Sequence, residues 1–307
     1  MLISYHRAQL ERLTDFEIAD ELEQGNIIYF PECPIPLPGE HELQFIRDEL
    51  PTRLALKNVS YHPEADTVRG LDADPETMDR VHKILTLHSK EVDAFLKKII
   101  PSLTAGWTIG TCSFRPIQER GRDLKPHASN ELIHFDAGAY GATNGDRILR
   151  FFVNINPHED RVWATKGAFP EIYQRLGSAA GVRKNNPGKN YLQKKFLDHL
   201  RTGIVRGLKK SGLKMAHVLD SSPYDRCMRK FHNYMKDTPE FQRRDAYYQQ
   251  IRFRPFSAWM VFTDMLSHAS LSGQHAFVDT HLVPLANCRL ADLAPINILK
   301  SAVQAAV

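Results

Sequence analysis

A short pattern, His134-Phe135-Asp136, sets the strongest condition on how this chain folds. In an extended segment, residues two apart point to the same side, so the histidine and the aspartate can face one point. A third ligand for such a pair has to come from elsewhere in the chain, and His268 is the favoured candidate. It follows a strand that ends at Phe262 and a short turn, and it stands early in a second strand. The fold must therefore bring two distant segments of the chain together.

A bare His-x-Asp triplet is a weak signal, and the chain contains a second one, His158-Glu159-Asp160. That second triplet lies between Pro157 and a charged segment, which indicates an exposed turn. The first triplet ends an apolar run and precedes a loop with three glycines, so it is expected at a strand end beside either a lid or a plain connector. His268 could also be a core histidine, and the alternatives to it as third ligand are His275 and His281.

Two histidines and one carboxylate on one face of a metal ion form a ligand set that suits non-haem Fe(II). This set leaves coordination positions open for an oxidising cosubstrate and for O2. A 2-oxo acid such as 2-oxoglutarate can occupy two of these positions, and its far carboxylate then needs a cation, ideally an arginine. The pattern therefore predicts an iron centre formed by His134, Asp136 and His268.

Two arginines on the strand after the triplet, Arg147 and Arg150, are candidates for this carboxylate anchor. They are three residues apart, so in a strand they face opposite ways. Arg150 shares a face with Ile148 and Phe152, and an arginine among apolar residues is costly unless it meets an anion. Arg150 is therefore the favoured anchor and Arg147 the alternate; a surface arginine paired with a nearby acid is the other interpretation.

Hydrophobic periodicity and turn residues predict an α+β organisation with helices first and strands later. Helices are expected at 7–24 and 75–100, the second with Asp74 as its cap and Pro75 in its first turn. A rigid proline-rich connector is expected at 31–39. Short strands are expected at 26–30, 107–114, 131–136, 148–155, 251–253, 258–262, 266–271 and 276–283.

These elements are interpreted as one domain spanning residues 1–307. Residues 1–104 form its N-terminal helical part, and 105–157 together with 250–285 form its β-core. Residues 158–249 form a basic helical insertion between core strands, within which the helical pattern runs from about Gly167 to Lys236.

The net charge is +4, but the charges are unevenly distributed. Residues 161–216 form a basic block with 13 basic and 2 acidic residues. Such a block favours an anionic partner, although a solvated helical face has the same composition. The first 50 residues carry 11 acidic and 3 basic residues. The four cysteines are scattered without a Cys-x-x-Cys pair, and the N-terminus lacks a secretory pattern, so a cytosolic protein with reduced thiols is expected.

Several stretches resemble the Fe(II)/2-oxoglutarate dioxygenases, and among these most closely the 3-deoxy-D-manno-octulosonic acid (Kdo) hydroxylases of Gram-negative bacteria. They are His134-Phe135-Asp136 with Gly145 to Pro157, Ser113-Phe114-Arg115-Pro116, Ser222-Pro223-Tyr224-Asp225 with Phe231-His232, and Ser257 to Asp264 continuing through Ser267 to Gln274. The last stretch is the most specific, and the resemblance covers most of the chain from about Trp107 onward.

The resemblance implies a double-stranded β-helix (jelly-roll or cupin-like) core with N-terminal helices packed on the sheet. It implies hydroxylation of Kdo at C3 in Kdo2-lipid A, with 2-oxoglutarate converted to succinate and CO2 and with O2 as the oxidant. It also implies a cytoplasmic protein at the inner-membrane surface, with iron ligands at His134, Asp136 and His268. One departure is that Phe277, Val278 and Asp279 stand where many dioxygenases place a basic residue after the distal histidine.

A polyanionic glycolipid such as Kdo2-lipid A agrees with the basic block, where Lys184, Lys189, Lys194, Lys195 and Arg201 are candidate contacts. Two alternatives remain open at this point. One is a dioxygenase that hydroxylates another substrate, such as a protein proline or a lipid chain. The other is a non-enzymatic barrel that binds anionic lipid; no aromatic-basic motif for RNA is evident, so no nucleic acid partner is expected.

Overall fold

A computed structural model describes residues 2–138, 142–182, 192 and 222–304. In these residues eleven strands form two sheets. The strands are β1 (Leu2–Ser4), β2 (Ile27–Phe30), β3 (Val59–His62), β4 (Thr67–Arg69), β5 (Thr108–Arg115), β6 (Arg147–Asn154), β7 (Arg161–Thr165), β8 (Gln249–Phe253), β9 (Ala258–Phe262), β10 (Ala269–Ser272) and β11 (Ala276–Val283).

The large sheet has eight strands in the order β1-β2-β9-β6-β11-β5-β3-β4, and the small sheet has the order β10-β7-β8. All pairs are antiparallel except β1 with β2, so the large sheet is mixed. Its centre is β11, which pairs with β6 on one side and β5 on the other. Strands from both ends of the described chain therefore interleave in one sheet, as the two-segment metal site requires.

Side chains alternate between the two faces of the large sheet. Phe152, Trp259 and Val278 lie in one apolar cluster with Trp163 and Phe253 of the small sheet. Their strand neighbours, such as Phe151, Met260 and Phe277, belong instead to the core beneath the helices. The two sheets thus face each other across one apolar layer, and the helices cover the outer face of the large sheet.

The helices are α1 (Arg7–Leu10), α2 (Asp15–Glu23), α3 (Glu40–Gln44), α4 (Pro75–Ile99), α5 (Pro101–Thr104), α6 (Phe169–Leu176), α7 (Pro223–Asp237), α8 (Pro239–Gln242) and α9 (Pro295–Gln304). A π-helical turn follows α3 at Phe45–Glu49, and short 3-10 turns lie at Leu50–Arg53, Pro126–Ala128, Leu285–Asn287 and Ala291–Leu293. None of the helices in the described ranges has the length and apolar character needed to cross a bilayer.

The long helix α4 forms as its sequence predicts. The Asp74 carboxylate accepts a hydrogen bond from the Thr77 amide at 2.9 Å, and Pro75 occupies the first turn, where no donor is needed. Val81, Leu85, Val92 and Leu96 bury one face of the helix against the sheet. The helix is thus fixed lengthwise on the outer face of the β-core.

Three local predictions are wrong. The helix expected at 7–24 is broken into α1 and α2, because Thr14 and Glu17 form a capping box in which the Thr14 amide donates to the Glu17 carboxylate at 2.7 Å. The strand expected at 131–136 is absent, because the Gln242 side chain bonds both the amide and the carbonyl of Ile133. The expected strand at 266–271 begins only at Ala269, so His268 lies just before it.

Four strands and three helices were not foreseen: β1, β3, β4, β7, α3, α5 and α9. Of these, β7 matters most for the site. It lies inside the segment 158–249, which was expected to be helical. Its residues are all buried and include Val162, Trp163 and Thr165, types that favour a strand, and it lies between β10 and β8. The fold class is confirmed: the chain is α+β with a cupin-like core of facing sheets. The division of the chain into a single domain stays a prediction.

Candidate metal centre

Backbone hydrogen bonds bring the two distant segments together at His134 and His268. The His134 amide donates to the His268 carbonyl at 3.0 Å, and the His268 amide returns a bond to the His134 carbonyl at 2.8 Å. The Asp136 amide donates to the Thr263 carbonyl at 2.9 Å. One ligand atom from each of His134, Asp136 and His268 lies within 4.8 Å of the others. The structure thus places together the three side chains that the sequence nominated.

The orientation of both imidazoles leaves the same ring nitrogen free. Nδ1 of His134 lies 2.7 Å from the Leu132 carbonyl, and Nδ1 of His268 lies 3.0 Å from the Leu266 carbonyl. A carbonyl oxygen can only accept, so Nδ1 carries the proton and Nε2 keeps its lone pair. These Nε2 atoms lie 3.7 Å and 4.0 Å from the Asp136 carboxylate oxygens. Such outer hydrogen bonds are the usual way in which metal-binding histidines are oriented.

Burial and neighbouring charges set the protonation states that a metal ion needs. Burial lowers the pKa of His134 and of His268 below the ordinary histidine value, so both rings are neutral at neutral pH. Burial acts to raise the pKa of Asp136, but the charges of Arg150 and the two histidines outweigh it, and the pKa is lowered. The Oδ2 atom of Asp136 is buried without a hydrogen-bond partner. Two lone pairs and an ionised, unsatisfied carboxylate fit a divalent cation.

The two predicted anchor arginines lie on opposite faces of β6. The Arg150 guanidinium enters the cavity beside the triad, with its Nη2 atom 3.1 Å from Oδ2 of Asp136. Arg147 faces the helical side, where its Nε donates to Asp264 at 2.6 Å and its guanidinium packs over the Phe262 ring. Arg147 does not line the cavity, so its place as alternate anchor is withdrawn. Neither arginine pairs with a surface acid.

The cavity at the triad has a volume of about 50 Å³ and contains two further arginines that the sequence analysis missed. Arg161 begins β7, where its Nη2 donates to Glu119 and to the Ser270 hydroxyl, both at 3.0 Å. Arg115 ends β5, and its Nε has no hydrogen-bond partner. Burial first, and then the nearby charge of Arg150, lower the pKa of Arg115 to about 10. The motif Ser113 to Pro116 was a signal for Arg115, but β7 was not recognised as a strand.

A layer of basic and aromatic groups surrounds the triad from α7 and β7. His232 donates from Nδ1 to the Phe135 carbonyl (2.7 Å), and its ring packs edge-on against His134. Trp163 stacks on His268 with ring centroids 5.1 Å apart. Lys236 is 5% exposed, its ammonium donates to the His127 carbonyl, and burial lowers its pKa to about 8.

The rejected candidates lie elsewhere. His275 stacks on Phe114 and His281 on Trp107, and neither belongs to the iron triad. The second triplet, at His158, lines a larger cleft of about 470 Å³ with Glu40, Asp48 and Glu159. That cleft is larger, but the described residues that line it form no ligand triad, so the smaller cavity is the better candidate for chemistry.

The candidate lipid contacts Lys184, Lys189, Lys194, Lys195 and Arg201 lie outside the described residues, as does part of the glycine-rich loop.

Comparison with known proteins agrees with this geometry. A family model described as 3-deoxy-D-manno-oct-2-ulosonic acid (Kdo) hydroxylase matches residues 7–306. No curated protein sequence matches the chain. Similar solved structures are those of the Kdo hydroxylase KdoO, a non-haem Fe(II) α-ketoglutarate-dependent dioxygenase, in its apo form and in complexes with α-ketoglutarate and Fe(III) and with succinate and Fe(III). Each is 25% identical with a TM-score of 0.79, covering 99% of this chain and 96% of KdoO.

Proposed function

Because the chain belongs to the Kdo hydroxylase family, we propose that it hydroxylates C3 of a Kdo sugar in Kdo2-lipid A, using Fe(II), 2-oxoglutarate and O2. One observation carries this proposal: His134, Asp136 and His268 converge beside a cavity lined with arginines. Bound iron and 2-oxoglutarate supply the oxidising chemistry, in which the keto acid becomes succinate and CO2. The rest of the proposal concerns what the chain's own side chains do.

Iron is held by Nε2 of His134 and His268 and by the Asp136 carboxylate. The fit rests on the free Nε2 lone pairs and on the unsatisfied Asp136 oxygen. Three ligands on one face leave the opposite side for a chelating keto acid and for O2. The neighbouring Trp163 and Phe152 rings line the cavity and keep water from it.

Arg150 is the proposed anchor for the far carboxylate of 2-oxoglutarate. It enters the same cavity as the triad and carries a guanidinium that can bind a carboxylate through two hydrogen bonds. When iron is bound, Asp136 shares its charge with the metal, so Arg150 is released to meet another anion. Arg161 already has Glu119 and Ser270 as partners, and Arg115 contributes positive charge deeper in the same cluster.

The charge of the cavity supports an anionic substrate as well as an anionic cosubstrate. Three arginines face two carboxylates there, Glu119 and Asp136, which leaves one net positive charge. A divalent ion raises this to three, and dianionic 2-oxoglutarate reduces it to one. Lys236 adds a further buried cation that forms no ion pair within the described residues. The surplus is then two positive charges, of which the carboxylate of a Kdo sugar would balance one.

The lipid-linked form of the substrate and a peripheral position at the inner membrane belong to the proposal. Both rest on the basic block of the sequence at 161–216, with 13 basic and 2 acidic residues. A segment of this charge is attracted to lipid phosphates and to anionic membrane surfaces. Cosedimentation of the protein with vesicles of anionic lipid, compared with neutral vesicles, tests this part separately.

Mass spectrometry of purified Kdo2-lipid A after incubation with the protein, Fe(II), 2-oxoglutarate and ascorbate tests the function directly. We expect a product with one added oxygen atom, located on the Kdo sugar by fragmentation. Asp136→Ala should abolish the product, because the iron loses its charged ligand. Asp160→Ala, in the second His-x-Asp triplet, is the matched control and should leave turnover unchanged. Equal turnover by Asp136→Ala and the parent would refute the proposed iron centre.

A further inference from the structure

A second cluster of potential metal ligands lies on the other face of the large sheet. His88 of α4, Cys112 of β5 and Asp279 of β11 bring one ligand atom each to within 4.8 Å of the others. Cys112 and Asp279 are direct cross-strand partners in the β5–β11 ladder. The exposures of Cys112, Asp279 and His88 are 0%, 1% and 2%. Three chemically different donors are thus enclosed between one helix and two strands.

The polar atoms of this cluster are not satisfied by the protein. Both ring nitrogens of His88 and both carboxylate oxygens of Asp279 are buried without a hydrogen-bond partner. His88 Nε2 lies 3.2 Å from Asp279 Oδ2, but this contact lacks hydrogen-bond geometry. Buried polar groups are nearly always paired, because an unpaired buried group has lost its hydrogen bonds to water without replacing them. The iron triad has the same signature in the unsatisfied Oδ2 of Asp136.

We propose that His88, Cys112 and Asp279 bind one transition-metal ion of the zinc class, which ties α4 to the two central strands. Imidazole nitrogen, thiolate sulfur and carboxylate oxygen are the three donor types that Zn²⁺ uses in proteins. The thiolate disfavours Mg²⁺ and Ca²⁺, which prefer oxygen ligands only. Binding replaces the thiol proton of Cys112 with the metal ion, so one proton is released for each ion bound.

The fourth ligand of such an ion is either water or His281. His281 lies two residues beyond Asp279 on the same face of β11, and both its ring nitrogens are also buried without a partner. His281 is not among the three residues whose ligand atoms already lie within 4.8 Å of one another, so its ring would have to turn towards the ion to bind it. Two histidines, one cysteine and one aspartate would close a tetrahedral site of the structural kind.

This site differs from the iron centre in position and in donor chemistry. Val278 lines the catalytic cavity, whereas its neighbour Asp279 points to the helical side of β11. The iron triad contains no sulfur, so only the second site can place a thiolate on a metal. The rival interpretation is a buried ion pair between a protonated His88 and Asp279, with the Cys112 thiol beside it.

Cobalt distinguishes these two interpretations, because a Co²⁺–thiolate bond gives a charge-transfer absorption that nitrogen and oxygen ligands do not give. The full-length protein should be produced in medium supplemented with cobalt, since the enclosed site has to fill as the chain folds. We expect about two Co²⁺ per chain in the parent, together with the thiolate absorption band. Cys112→Ser should lose the band and bind about one Co²⁺, while Cys227→Ser, a matched substitution at another buried cysteine, should retain both.

A second variant keeps the test decisive if Cys112→Ser folds poorly. Asp279→Asn removes the charged ligand but keeps the size of the side chain, and it should also lower the cobalt content by one per chain. Asp136→Ala should empty the iron centre and leave the thiolate band intact. Absence of the band in the parent, or its survival in Cys112→Ser, would overturn the proposal and establish the buried ion pair. Neither result depends on hydroxylase activity, so this test and that of the proposed function fail independently.

Discussion

Arg150 illustrates how one side chain can serve two anions in turn. In the structure its guanidinium lies against the Asp136 carboxylate and helps to keep that group ionised. In the proposed function, a metal ion at the triad would take over this role and leave the arginine available to the cosubstrate. The position of Arg150 on the inner face of β6 was inferred from strand alternation alone, since residues 148, 150 and 152 share a face.

Substitution of the anchor arginine should weaken cosubstrate binding. We expect Arg150→Met to raise the KM for 2-oxoglutarate about tenfold to a hundredfold, because a hydrogen bond to a charged group contributes about 1.5–3 kcal/mol. Steady-state kinetics with varied 2-oxoglutarate measure this effect, and Arg252→Met on the exposed strand β8 is the control. If Arg161→Met or Arg115→Met raised the KM for 2-oxoglutarate more than Arg150→Met does, that arginine would be the anchor instead.

The buried ammonium of Lys236 should make substrate binding depend on pH. Because burial lowers its pKa to about 8, Lys236 is charged below that pH and neutral above it. We expect the KM for Kdo2-lipid A to rise as the pH increases through about 8, and Lys236→Arg to hold its affinity to higher pH. Measurement of KM between pH 7 and pH 9 checks this; a profile shared by parent and Lys236→Arg would exclude the residue from binding.

The sequence could predict site residues whose role follows from their own type and spacing. It could not predict residues that contribute only because the fold brings them to one cavity. His134, Asp136 and His268 could be nominated because their types and spacing are typical of an iron ligand set. Arg161 could not, because it reaches the same cavity as Arg115 only once β5 pairs with β11 and β7 pairs with β10. The ligand cluster at His88 was missed for the same reason.

At the scale of elements, Asp225 connects the loop after the triad to helix α7. Its carboxylate accepts hydrogen bonds from the Thr143 amide at 2.8 Å and from the Thr143 hydroxyl at 2.9 Å. It also accepts from the Ser222 hydroxyl at the start of the helix. On the other side of this loop, Gly145 has a φ of +104°, and a Cβ there would meet Ile296 of α9. Two helices therefore contact the chain at residues 143–145, just before β6.

Removal of the Asp225 carboxylate should destabilise the protein. We expect Asp225→Ala to lower the free energy of unfolding by about 2–4 kcal/mol, because several donors lose their acceptor and the capping box of α7, with Ser222 as N-cap, loses its Asp225 carboxylate. Denaturant unfolding measures the change. Asp237→Ala, at the exposed end of the same helix, should cost less than about 1 kcal/mol. An equal effect of the two substitutions would show that Asp225 does not hold the loop.

The elements that the sequence predicted well are those whose stability is local. Helix α4 has a cap, a proline in its first turn and a regular apolar face, and β9 is an apolar run of strand length. The segment 131–136 has the composition of a strand, but its backbone groups bond the Gln242 side chain and His268 instead. Strand β7 follows a proline and a run of charged residues, which do not predict a strand. Its conformation depends instead on pairing with β8 and β10.

Across the whole molecule, buried neutral histidines couple stability to pH. Burial lowers the pKa of His275 from its usual 6.5 to about 4, so the unfolded chain binds a proton there more readily than the folded one. The contribution of the neutral His275 ring to the free energy of unfolding is complete above pH 6.5 and is lost as the pH falls towards 4. For this one group the loss is on the order of 1–3 kcal/mol.

Denaturant unfolding between pH 7 and pH 4 measures this dependence. We expect the unfolding free energy to fall across the range, and His275→Asn to reduce the slope between pH 6.5 and pH 4. Asparagine is the suitable replacement because His275 has a φ of +58°, a region that asparagine tolerates. Parallel slopes for parent and His275→Asn would place the acid sensitivity at other groups.

The overall architecture could be anticipated because two distant sequence segments had to meet at one metal ion. That requirement, together with strands on both sides of a helical segment, predicted one sheet or barrel, and the family resemblance implied the double-stranded β-helix. The strand order could not be anticipated in the same way. It depends on long-range pairing, such as β1 with β2 and β3 with β5, for which short segments carry little information.

The stacking of Trp163 on His268 gives the metal centre an optical signal of its own. Ferrous and cobaltous ions quench indole emission at contact range, whereas Zn²⁺ has a filled d shell and quenches little. Titration of the apoprotein with either open-shell ion should therefore dim the ultraviolet fluorescence of this one ring, and replacement of Trp163 by phenylalanine should remove that response. Iron occupancy could then be followed in real time, without lipid substrate and without any added dye.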